Sequence, residues 1–287
     1  MDKPRRSLLF TPANRPGAFD KALASGADIV CLDLEDAIPP DQKAECRDQA
    51  VAFLGGTGPQ NDGRAIRINA LGCQAGLEDL VAVGKAAPKT GMIMLPKVTD
   101  AAELRLADSI LTEAGSEMEL AALIETLDGL ENVTEIAGAA ERLKLIVFGA
   151  VDFSAELGTP NADAPLSYAR SRIVHAAKRA GVDVMDVPEL EFRDLEKIEL
   201  SSERARDFGF TGKAAIHPSG IPTINTVFSP SMDEIEHAQR VIAAFETSLN
   251  GLAVLDGQLV EAPVVKAMQR RLAIAQVCGL IGSDPDA

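Results

Sequence analysis

Cysteine is scarce and poorly placed for chemistry. Cys31, Cys46, Cys73 and Cys278 are scattered over 287 residues without CxxC spacing, a distribution that points to neither a zinc site nor a redox pair. Cys31 lies inside the apolar run DIVCLDLE and reads as a small buried hydrophobe. No stretch approaches about 20 uninterrupted apolar residues, so no membrane span is expected. The opening MDKPRRSLLFTPANRP carries the Arg5–Arg6 pair but too short an apolar run for the h-region of a secretory leader. Bases are outnumbered, 28 against 43 acids, for a formal charge of −15. That balance argues against a nucleic-acid surface, which needs basic density to displace phosphate counterions. An anionic small substrate is still allowed, because a few placed bases or a metal suffice for it. The first strand–helix junction, FTPANRPG, lacks GxGxxG, which disfavours a dinucleotide fold. Sequence repeats are lacking too, and a reducing cytoplasm is the expected setting.

What is present is a regular alternation. SLLFTP, DIVCLDLE, RAIRIN, GMIMLPKV, LAALIE, LKLIVFGAVD, VDVMDVPE and GKAAIHP read as eight strands. Helical patterns separate them, among them NRPGAFDKALASG, PPDQKAECRDQAVAFLGG, residues 100–114, 128–140, 166–180 and 191–206. Alternating strands and helices pair in parallel, and eight such units predict a closed (β/α)8 TIM barrel over residues 1–222. Several strands are continuous apolar runs, as expected when both faces are covered. GGTGPQNDG (55–63) is a polar, glycine-rich loop. Residues 223–287 form a C-terminal extension of different pattern, an oligomer contact or active-site lid. SPSMDEIEHAQRVIAAFE is an amphipathic helix with a serine cap, followed by two short strands turning at Asp256–Gly257 and a last helix.

Catalytic residues of such barrels gather at the C-terminal ends of the strands. In order these ends carry Thr11/Pro12, Glu35/Asp36, Arg67/Asn69, Lys97, Glu125, Asp152, Asp186 and His217. Apolar strands thus lead consistently to polar ends. Glu125 and Asp152 end consecutive strands, and two carboxylates with open water positions suit Mg²⁺. The plainer reading is that each caps a helix or pairs with a base. Arg67 either clamps a carboxylate or oxyanion, or forms a salt bridge to Glu35 or Asp36. Those two acids orient metal-bound waters or cap the next helix. His217, in AIHPSG, is a general base or part of a shaped turn lining a pocket, whereas His175 and His237 read as structural or solvated.

RRSLLFTPANRP, DIVCLDLEDAI, IRINALG, IMLPKV, LIET, GAVDFSAELG, YARSRIVHAAKRAG and GFTGKAAIHPSGI occur in this order. Together they resemble the citrate lyase beta-subunit-like family, which includes the malyl-CoA and citramalyl-CoA lyases. The resemblance spans residues 5 to 270. It implies a (β/α)8 barrel, Mg²⁺ (with Mn²⁺ as a substitute), and reversible carbon–carbon cleavage of a 3-hydroxyacyl-CoA in a homotrimer or homohexamer. Glu125 and Asp152 match the family's metal ligands, and Arg67 the arginine near the reacting thioester and carboxylate. Phe10, Lys21, Ile216 and His217 match positions near coenzyme A, and Arg15 is an added candidate for a CoA phosphate.

One position departs from the family. Where the CoA lyases place an aspartate contributed by a neighbouring subunit, GQLVEAPVV has Glu261. The carboxylate is kept, one methylene longer, and a shift of that order can lower a rate considerably. Competing expectations are the beta subunit of a citrate lyase complex acting on an acyl-carrier-protein thioester, a CoA-independent metal aldolase, and a metal-free CoA-ester binder.

Overall fold

The computed structural model describes residues 3–56, 63–248 and 252–282. The loop expected over 55–63 lies mostly outside them. Eight strands alternate with helices in the unit Arg5–Asn225. The strands are β1 (Ser7–Pro12), β2 (Ile29–Asp33), β3 (Arg64–Arg67), β4 (Met92–Leu95), β5 (Glu119–Ile124), β6 (Leu143–Phe148), β7 (Asp183–Asp186) and β8 (Gly212–Ala215). Each pairs in parallel with its sequence neighbours, and β8 closes back on β1. The result is a (β/α)8 barrel.

Around the barrel run α1 (Phe19–Leu23), α2 (Lys43–Leu54), α3 (Gln74–Ala86), α4 (Ala101–Glu113), α5 (Leu127–Glu131), α6 (Val133–Ala137), α7 (Ala150–Leu157), α8 (Asp163–Ala180), α9 (Leu195–Phe208) and α10 (Ile221–Val227). The helix expected over 128–140 is two helices, broken at Asn132, whose side chain donates to the carbonyl of Thr99 at 2.8 Å. A second correction bears on the site. The sixth strand stops at Phe148, and Asp152 belongs to the first turn of α7 rather than to a strand end. Gly149 interrupts the extended run and starts the helix, so the acid arrives one turn later.

The barrel interior packs small residues against long ones, as a closed tapering sheet demands. Ala65, Ala121 and Ala214 leave room for Met92, Met94 and Met185, all buried with Leu8 and Cys31. Each buried methionine or leucine among them contributes about 1.5–3 kcal/mol by leaving water. At the N-terminal end Arg5 joins β5 and β7, donating to Glu119 at 2.8 Å and Asp183 at 3.0 Å. Ion pairs thus plug one end of the barrel, and the other end is free for chemistry.

The described part of Thr226–Ala287 belongs to a second compact unit, with Lys3 and Pro4. It contains α11 (Met232–Glu246), the antiparallel pair β9 (Ala253–Leu255) and β10 (Gln258–Val260), and α12 (Ala262–Val277). Ser231 and Glu234 form a reciprocal capping box at the start of α11. Val241, Val260 and Val265 make a small core of their own. Among the described residues no helix is long and apolar enough to cross a membrane.

Candidate active site

The site is built from the ends of five neighbouring strands. Asp33 closes β2 and pairs in register with Arg67, which closes β3. Their side chains therefore meet directly. Arg67 donates from Nε and Nη2 to the two oxygens of Asp33 at 2.8 and 2.7 Å, a bidentate fork. Its Nη1 lies 2.9 Å from Glu35 Oε2, and its guanidinium sits 5.1 Å from the Phe10 ring centre. Burial opposes the cation, but Asp33 and Glu35 more than offset that and raise the Arg67 pKa.

Lys97 follows β4 in a left-handed backbone, φ 50°. That turn, uncommon for a side chain with a Cβ, aims the Lys97 amide at Glu125, which accepts on Oε1 at 2.8 Å. The Lys97 ammonium reaches back to Glu35 Oε1 at 2.6 Å and more loosely, at 3.4 Å, to Asp36. Glu125 follows β5 and is 3 % exposed. Its other flank faces Gly149, where a Cβ would lie 2.5 Å from both Glu125 Cβ and Oε2. Only glycine leaves space there.

Phe10, Arg67, Glu125, Asp152 and Ile216 line one cavity of about 310 Å³ at this end of the barrel, together with Asp33. Burial pushes the Glu125 carboxyl up to about 8, helped by repulsion from Glu35 and Asp152 and countered by Arg67 and the Lys97 amide. Glu35 is raised as well, mainly by burial. Its Oε2 is buried with only the ion-pair contact to Arg67 Nη1 and no hydrogen bond. Carboxylates forced together and left short of positive charge are the donor set a hard divalent cation satisfies. Among the described residues no group of three or more His, Cys, Asp or Glu is arranged to hold a metal. An ion here would be held by Glu125 and Asp152 alone, leaving positions for water and substrate, which is how Mg²⁺ is commonly bound.

The other expected residues stand apart from this cavity lining. Arg15 and Lys21 are exposed in the segment that follows β1, on the same side as the strand ends. Asp36 is exposed and serves Lys97. His217 is a turn residue: its Nδ1 accepts from the Ser219 amide at 3.2 Å, and its ring stacks on Phe192 at 5.2 Å. Glu261 is exposed at the start of α12, and its carboxylate does not cap that helix. Asp33 and the backbone of Lys97 were not singled out in the sequence. Asp33 was findable, since it alternates with Glu35 and residues two apart on an extended run face the same way. The amide of Lys97 was not, because nothing in the residue type signals a left-handed turn.

These features agree with known proteins. Residues 6–218 match the family model described as HpcH/HpaI aldolase/citrate lyase. The chain is 35 % identical over 278 residues to a (3S)-malyl-CoA thioesterase of Cereibacter sphaeroides, covering 95 % of each chain. It is 33 % identical to the citrate lyase subunit beta of Leuconostoc mesenteroides subsp. cremoris, covering 98 % of this chain and 96 % of that one. It is 30 % identical to an L-malyl-CoA/beta-methylmalyl-CoA lyase of Cereibacter sphaeroides, covering 92 % of both. Among solved structures, protein CitE from Mycobacterium tuberculosis in complex with magnesium, acetoacetate and coenzyme A aligns with TM-score 0.81 and 31 % identity, over 96 % of this chain and 99 % of that one. An eight-stranded barrel with acids and one arginine at its open end, and full-length relatives of this kind, place the chain in the HpcH/HpaI aldolase/citrate lyase family.

Proposed function

We propose that this protein is a Mg²⁺-dependent carbon–carbon lyase that reversibly cleaves a 3-hydroxyacyl-CoA of the malyl, citramalyl or citryl type into acetyl-CoA and a 2-oxoacid. The carrying observation is that Glu125, Asp152 and Arg67 line one cavity at the open end of the barrel. Glu125 and Asp152 would hold the ion, and Glu35 beside them would orient its waters. When bound, the ion supplies positive charge to the substrate's hydroxyl and carboxylate oxygens and makes the hydroxyl easier to deprotonate.

The chain's own groups supply the rest. Transfer of the hydroxyl proton to a nearby carboxylate lets the C–C bond break toward the thioester, giving the 2-oxoacid and a thioester enolate. Arg67, held rigid by Asp33, presents its remaining N–H groups to that enolate and needs no reorganisation as charge develops. Return of a proton to the enolate carbon gives the acetyl thioester. Glu261 of a second copy is our candidate for that proton, since its exposed carboxylate is not used to cap α12. Phe10 and Ile216 at the cavity, with Arg15, Lys21 and His217 around it, form the coenzyme A side of the site. A homotrimer or homohexamer and a cytoplasmic setting belong to the same reading.

Purified protein given Mg²⁺ and these thioesters is expected to release acetyl-CoA and a 2-oxoacid, and Glu125→Ala to abolish it. Release of free CoA and the intact hydroxy acid would instead mark a hydrolase, a reading favoured by the 35 % identity to a malyl-CoA thioesterase. Turnover only with added carrier-protein subunits would mark a citrate lyase beta subunit. Cleavage of small hydroxy-oxoacids without CoA would mark an aldolase.

A further inference from the structure

Behind the cavity runs a second chain of charges that the chemistry above does not use. β2 ends at Asp33, and the chain leaves the strand through Leu34 and Glu35, both buried. Buried carbonyls need donors. The Lys43 ammonium donates to the carbonyls of both residues, at 3.0 Å each. Lys43 is the first residue of α2, where the helix macrodipole disfavours a cation. A residue set against its local preference points to a tertiary role.

Lys43 is itself pinned. Its ammonium also donates to Asn69 Oδ1. Asn69 in turn gives its amide and its side-chain Nδ2 to Asp79 Oδ2, at 2.9 and 2.6 Å. Asp79, on α3 and fully buried, takes Arg47 Nε on its other oxygen at 2.6 Å. Arg47 lies one turn beyond Lys43, so the ring of contacts closes on one helix. Buried polar groups that satisfy one another in this way rigidify the backbone they join. All four side chains stand outside the lining of the cavity of about 310 Å³.

The segment that Lys43 holds carries the carboxylate that joins two cations of the site. Glu35 Oε1 lies 2.6 Å from the Lys97 ammonium, and Oε2 lies 2.9 Å from Arg67 Nη1. Each cation has its own oxygen, so a small turn of the Glu35 backbone loosens one or both. The Glu35 amide also donates at 2.9 Å to Asp33 Oδ1, the oxygen that takes Arg67 Nε.

We propose that Lys43 is a positioning residue for the reaction. Held by Asn69, Asp79 and Arg47, it fixes the Leu34–Glu35 backbone and so the aim of the Glu35 carboxylate between Arg67 and Lys97. It acts through Glu35 and not on the substrate. This rests on the lyase reading above.

Lys43→Met keeps the stem of the side chain and removes its charge and donors. It is expected to lower kcat for thioester cleavage about ten- to a hundredfold with KM within about twofold, and to weaken Mg²⁺ binding by calorimetry about tenfold. A role in folding alone would lower the melting temperature without that split. The decisive comparison repeats the change in Glu35→Ala, where no carboxylate is left to aim. There Lys43→Met should alter kcat and Mg²⁺ affinity by less than about twofold. Effects of the two substitutions that simply multiply, or wild-type kcat and Mg²⁺ affinity in Lys43→Met, would overturn the proposal. Should Lys43→Met not fold, Lys43→Gln, which keeps a donor, goes through the same cycle. A wild type that binds Mg²⁺ but cleaves no thioester loses the lyase reading, and the calorimetric cycle still decides the positioning. A wild type that binds no Mg²⁺ overturns both.

Discussion

Glu125 is the residue on which most of the site's electrostatics converge. It is nearly buried, near Glu35 and Asp152, and its carboxyl is pushed up to about 8. The consequence for the metal-free protein has a definite sign. A carboxyl whose folded-state value lies above its ordinary 4.5 favours the fold fully below that pH. The advantage is lost as pH rises toward about 8, because the fold must then bury a charge. Glu125→Gln stays neutral throughout. In chelator-treated protein it should melt with the wild type near pH 5 and about 2–4 °C above it near pH 8.5. Equal melting temperatures at both pH values would show that the carboxylate carries no such penalty. The acid's position was legible as a polar residue ending a greasy strand. Its strained protonation was not, since that depends on Glu35, 90 residues away in the chain.

At the scale of the element, the junction between β6 and α7 decides the site. The extended run LKLIVF ends at Phe148, and Gly149 turns the chain so that Asp152 comes from the first helical turn. The same glycine leaves the gap in which Glu125 lies. A methyl at that position must push Glu125 or the turn aside. Gly149→Ala should therefore lower kcat/KM by about a hundredfold, with weakened Mg²⁺ binding by calorimetry, and little change in far-ultraviolet dichroism. Wild-type metal affinity in that variant would detach the glycine from the site. The sequence pattern LIVFGAVD reads as one strand because valine and phenylalanine favour extended structure. Tertiary contact with Glu125 explains why a glycine stands inside it.

For the whole molecule the question is how the second unit takes part. Glu261 belongs to the C-terminal unit, outside Arg5–Asn225, and is the carboxylate proposed above to act from a second copy. Mixing two inactive variants tests this. Glu125→Gln and Glu261→Gln subunits, denatured together and refolded, should recover about one quarter of wild-type activity if the carboxylate crosses between copies. No recovery on mixing, or full activity in Glu261→Gln alone, would remove Glu261 from the reaction.

The alternation of apolar strands with capped helices determined the barrel, because hydrophobic periodicity and parallel pairing leave few other ways to bury eight such strands. The order of polar residues at the strand ends likewise marked the open face, since strand direction places every such end on one side. Tertiary structure alone decided which charges meet. Asp33 took Arg67 because β2 and β3 pair in that register. The left-handed turn at Lys97 handed its amide to Glu125. Such contacts join residues far apart in the chain, where distance and desolvation, not residue type, set the energy.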